Sequence, residues 1–142
     1  MSLFQGFREN QAATDVAHED PALRGRTYAI PFERVWQAAL GVAGGGLSRW
    51  SLIRSDDVTG HILAEIGPAL LRPAADVLIK VTLDADAQTR VDLSTSSRTE
   101  RWDLGASHRR VRAFFRTLDR YLQVQDGQIL DPAGPGASPE IG

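Results

Sequence analysis

The stretch VDLSTSSRTERWDLGASHRRVRAFFRTLDRYL, residues 91–122, decides how this chain folds. Its first eight residues alternate: Val91, Leu93, Thr95 and Ser97 fall on one side, and Asp92, Ser94, Ser96 and Arg98 on the other. A period of two is that of a half-buried strand. After Leu104 the period changes. Val111, Phe114, Phe115, Leu118, Tyr121 and Leu122 recur at the spacing of one helical face, with Arg109, Arg112, Arg116 and Arg120 on the opposite face. Asp103 reads as the N-cap, because its carboxylate accepts from backbone N–H groups that the first helical turn leaves without partners. Ser107 is the rival cap, since Gly105 is a poor early helix residue.

The run SSRTERWDLGASHRRV, residues 96–111, resembles the signature of the bacterial family called domain of unknown function 1499. The matching positions are Arg98, Asp103, Gly105, Arg109 and Arg110. A second run, RPAADVLIKV at 72–81, resembles the same family where an Asp enters a strand, here Asp76. Many members open with a Cys-containing segment, and this chain has no Cys. The resemblance implies membership and carries no activity.

Working back from residue 91, positions 76–83 alternate again, with Val77, Ile79, Val81 and Leu83 inward. The two strands must show their apolar sets on one face, which restricts their register. A three-residue loop, Ala85-Asp86-Ala87, satisfies that restriction. It sets Lys80 opposite Asp92, Val77 opposite Thr95, and Arg98 opposite Ala74, diagonal to Asp76. Opposite charges in such places contribute roughly 0.2–1 kcal/mol each.

Further back, residues 49–55 and 60–66 read as two more strands, without a clear inward face. Residues 27–30 read as a short strand. Pro31 suits a helix start, and Val35, Trp36, Ala39, Leu40 and Ala43 form a helical stripe that Gly44-Gly45-Gly46 stops. The glycines follow a helix and no Lys-Ser/Thr pair follows them, so they are not a phosphate loop.

The resulting order is β-α-β-β-β-β-α. We expect an α+β fold: a five-stranded antiparallel sheet with two helices on one face, similar to TATA-binding-protein-like and helix-grip arrangements. The expected divisions are an N-terminal arm at 1–25, one domain at 26–124, and a flexible C-terminal tail at 125–142. The second sheet face, with Leu78, Lys80, Thr82, Arg90, Asp92, Ser94, Ser96 and Arg98, is expected to be open and polar.

With 142 residues, the chain can bury a core without disulfides or metal. The absence of Cys excludes a disulfide scaffold, a Cys nucleophile and a thiolate zinc site. No cofactor is implied. A net charge of −2 draws the chain to neither nucleic acid nor acidic lipid, so no specific nucleic-acid or membrane partner is expected. No apolar run reaches the ~20 residues of a membrane span, and the first residues lack a signal-peptide core. Cytoplasmic location is the expectation, with homo-oligomerisation through the open sheet face as the partner expectation.

One cluster carries candidate chemistry: Asp76, Arg98, Asp103 and His108, where the last strand meets the last helix. As a ligand site, Arg98 would hold an anion, with His108 as a base oriented by Asp103. As structure, Arg98 pairs with Asp76 and Asp103 caps the helix, which needs fewer assumptions. The arginine stripe reads as a solvated face. No catalytic residues are assigned. The expected function is a non-catalytic binding or interaction module. The alternative is a small-molecule protein with a pocket for a hydrophobic or anionic ligand between helix and sheet.

Overall fold

In the computed structural model, residues 11–13, 25–68, 74–97 and 104–130 are described. The fold is α+β, an antiparallel sheet with two helices on one face. The elements in chain order are β1 (Gln11–Ala13), β2 (Arg26–Tyr28), α1 (Phe32–Gly41), β3 (Trp50–Asp56), β4 (His61–Ile66), β5 (Ala75–Leu83), β6 (Thr89–Ser97) and α2 (Leu104–Leu122). Across the sheet the strands run β3-β4-β5-β6. A fifth position, on the outer edge of β6, is shared by two short segments lying end to end. There, β2 pairs with Thr89 to Val91, and β1 pairs with Ser94 to Ser96.

The β5–β6 hairpin has the register that the apolar pattern required. Lys80 faces Asp92, Val77 faces Thr95 and Leu83 faces Thr89. The loop closes with Asp84 N donating to Gln88 O at 2.8 Å. Asp84 also accepts from the Asp86 and Gln88 amides at 2.9 Å each, so its side chain organises the turn. Ala87 takes a left-handed φ of 61° to complete it. The expected pairing of Arg98 lies outside the described residues.

Ile62, Ala64 and Ile66 of β4, Val77, Ile79 and Val81 of β5, and Val91, Leu93 and Thr95 of β6 are buried beneath the helices. From α2 come Val111, Phe114, Phe115, Leu118 and Leu122; from α1 come Val35, Trp36 and Ala39. Phe114 stacks on Trp50 and meets Phe115 edge to face, with ring centroids 5.9 and 5.1 Å apart. Tyr28, fully buried, donates its hydroxyl to Asp119 at 2.6 Å, and Arg26 reaches the other oxygen of Asp119 at 3.3 Å. These contacts fasten the edge strand β2 to α2.

Several expectations need correction. Tyr121 is half-exposed. Its side chain lies over Gly41 and Gly46, where a Cβ would come within 2.9 Å of the ring and 2.6 Å of the hydroxyl. Gly46, beyond the end of α1, thus serves with Gly41 as a seat for Tyr121. The chain makes a π-type turn over Val42–Gly46, within which Gly45, at φ 133°, leaves the helical conformation. The first strand of the 27–30 run is Arg26–Tyr28. The second sheet face is not open throughout, because Leu78 and Ser96 on it are buried. Asp92 there is gripped by Arg90 through two hydrogen bonds of 2.8 and 3.1 Å.

On β3, Trp50 and Leu52 take the core side, opposite Ile66 and Ala64. The register then slips at Ile53 in a bulge. All of β3 beyond Trp50 is exposed, as befits an edge strand that the helices do not reach. Bulges of this kind spoil an edge as a template for another strand. Within the expected tail, Ile129 bridges to Tyr28 and Leu130 N donates to Thr27 O at 2.7 Å. Within the expected arm, Gln11–Ala13 forms β1. No helix among the described residues is long and apolar enough to cross a membrane.

Candidate functional site

On α2, burial of Val111, Phe114, Phe115 and Leu118 fixes the rotation of the helix about its axis. The intervening positions must then point outward or sideways. Arg109, Arg112 and Arg116 are exposed along one flank, the flank that overhangs the start of β3 and the end of β4. There the helix and the sheet edge enclose a groove of about 530 Å³. Its helix side is lined by Arg109, Arg110, Arg112, Ala113 and Arg116, and its sheet side by Ser48, Arg49, Trp50, Ile66 and Gly67. Five arginines therefore line one groove, on both walls, over a floor of Trp50, Ile66 and Ala113. No carboxylate lines it among the described residues. That volume is ordinary for a small-molecule site.

Arg49 sits in this groove with a left-handed φ of 73°. For a residue with a Cβ, that conformation costs roughly 1–2 kcal/mol. It is held from both sides: Gly67 N donates to Arg49 O at 2.9 Å, and Arg49 Nη1 donates to Pro68 O at 2.9 Å. Strain maintained by its surroundings in this way concentrates at functional sites.

The helix wall is also costly. Arg109, Arg112, Arg116 and Arg120 follow each other at spacings of three or four, so each neighbouring pair is a like-charge pair on one face. Such pairs destabilise a helix by about 0.2–0.5 kcal/mol each. Among the described residues, Arg109 and Arg116 make no ion pair.

The cluster named from the sequence is placed differently. Asp76 lies on β5, half-buried, opposite Glu65 and Ser96 and on the face turned away from the helices. His108 is half-buried on α2. Both have interactions of their own. Neither lines the groove. Arg98 and Asp103 lie outside the described residues. α2 begins at Leu104, so Asp103 immediately precedes it. The sequence marked the arginine stripe but gave no sign of its second wall. Arg49, Trp50 and Ile66 are distant in the chain, and only the folded register brings them opposite α2.

Fold and groove define the class: an α+β sheet-and-helix protein with an arginine-lined groove between its long helix and one sheet edge. The chain belongs to the family described as "Protein of unknown function (DUF1499)", whose model matches residues 7–118. That match agrees with the resemblance carried by residues 72–81 and 96–111. Among curated proteins none matches. Among solved structures, the chain is similar to the crystal structure of Ara h 8.0201, at 11% identity, covering 68% of this chain and 92% of that one, with a TM-score of 0.49.

Proposed function

We propose that the protein is a non-catalytic binding module whose ligand is a small anion held in the groove between α2 and the β3–β4 end of the sheet. One observation carries this reading: five arginines from two walls line a groove with a partly apolar floor, and among the described residues Arg109 and Arg116 make no ion pair. A solvated helix face needs no opposing wall, whereas Arg49 faces the stripe from the sheet side in a strained conformation. Guanidinium forks match carboxylate and phosphate oxygens, and such charge-assisted hydrogen bonds are among the stronger ones available to a protein. Of the two ligand types expected from the sequence, the lining favours the anionic one.

The test is a thermal melt of the full chain with and without phosphate, sulfate and small carboxylates. A saturable rise in melting temperature is expected with at least one of them, as binding to the native state alone requires. Arg109→Ala with Arg116→Ala should abolish the rise without lowering the unliganded melting temperature. No rise with any anion, or a rise that survives the double substitution, would remove the groove as the site.

A further inference from the structure

We infer that the ligand of this groove is an oligophosphate: a chain of linked phosphates, bare or borne by an organic body. The inference rests on the groove being the ligand site and goes further, by reading the number and spacing of its charges.

Arg109 and Arg116 are two turns apart on α2, roughly 10 Å along the axis at the helical rise. Arg112 lies between them and Arg49 stands across the groove. A lone carboxylate or a single phosphate is short against the spacing of Arg109 and Arg116. An extended chain of phosphates spans that distance and meets both forks at once. The charge is distributed for length, with cations repeating along the groove wall. The floor of Trp50 and Ile66 adds an apolar surface that bare phosphate does not use. It fits a ligand in which the phosphates are attached to a flat or apolar body.

The experiment is titration calorimetry of the full chain with inorganic phosphate, pyrophosphate, tripolyphosphate, a nucleoside triphosphate and dodecanoate, at two salt concentrations. Affinity should rise from phosphate to tripolyphosphate by roughly tenfold or more, which is what one additional charged hydrogen bond supplies. The dependence of log K on log salt should steepen with each added phosphate contact. Arg109→Ala with Arg116→Ala should bring tripolyphosphate down to the level of phosphate. Arg54→Ala, an exposed arginine outside the groove, should change nothing. Tighter binding of the nucleoside triphosphate than of tripolyphosphate would assign the floor to an organic body, and equal affinities would assign the groove to the bare chain; both support the inference. If phosphate or dodecanoate binds as tightly as tripolyphosphate, and the double substitution removes that binding, the oligophosphate inference is overturned while the anion groove stands. If no anion binds, or the double substitution has no effect, both fall.

Discussion

Thr95 and Thr89 lie on the same strand, are both fully buried, and should respond to the same substitution with opposite signs. Thr89 Oγ1 donates to Ile30 O at 2.7 Å, tying β6 to the segment that leads into α1. Thr95 Oγ1 is buried and, among the described residues, has no hydrogen-bond partner. Replacing Thr by Val exchanges a hydroxyl for a methyl at nearly constant shape. At position 95 this removes a desolvated polar group that gains nothing in return, a cost of about 1–3 kcal/mol in proteins. Thr95→Val should therefore stabilise the fold, by about 1–2 kcal/mol once some relaxation is allowed. At position 89 the same change deletes a buried hydrogen bond and leaves a carbonyl without its donor, which costs about 1–3 kcal/mol. Both variants should be unfolded in urea and followed by circular dichroism. For a domain of this size, each kcal/mol moves the melting temperature by about 4 °C, so the two variants should move in opposite directions by several degrees. The slope against urea should not change, because the surface exposed on unfolding is the same. If Thr95→Val is neutral or destabilising, a partner satisfies that hydroxyl and the reasoning fails.

Other substitutions test other parts of the fold. Tyr28→Phe removes the hydroxyl bound to Asp119, which keeps Arg26 and about a quarter of its side-chain exposure; the loss should be about 1–2 kcal/mol, at the low end for a charged hydrogen bond, read from urea melts. Phe115→Ala should cost about 3–5 kcal/mol, and Arg116→Ala less than about 0.5 kcal/mol; equal losses would mean the faces of α2 have been misassigned. Ala87→Gly should stabilise by about 0.5–1 kcal/mol, because Ala87 holds a left-handed φ that Gly adopts without steric cost. A destabilised Ala87→Gly variant in the same melts would show that the turn is set by something other than that backbone angle.

The hairpin was legible because two alternating strands with one apolar face each leave few ways to pair. The three-residue loop then chose among them, and Lys80 faces Asp92 as that choice required. The face of α2 was legible from the spacing of its large apolar residues, apart from Tyr121, whose seat is made by Gly41 at the end of α1 and Gly46 in the turn after it. What the sequence obscured depends on residues far apart in the chain. The bulge at Ile53 leaves no mark in the alternation of 49–55, which suited either face. The left-handed backbone of Arg49 has no glycine or asparagine to announce it. The arginine stripe was legible as an exposed face, but the wall opposite it becomes visible only when β3 and β4 are placed beside α2.

The divided outer edge of β6 also bears on the order in which the molecule assembles. β5 and β6 are joined by a three-residue loop, so their pairing closes little chain and should form early. The segments that cover the far side of β6 belong to the beginning of the chain, and their partners are synthesised much later. Closing such distant pairings loses more chain entropy before any contact offsets it. During synthesis and refolding, β6 should pass through a period with one flank of N–H and C=O groups unpaired. Unpaired flanks of this kind make intermediates prone to associate. Exchange of backbone hydrogens should reveal this sequence of events: amides of Arg26–Tyr28 acquiring protection after those of the β5–β6 hairpin, and losing it first.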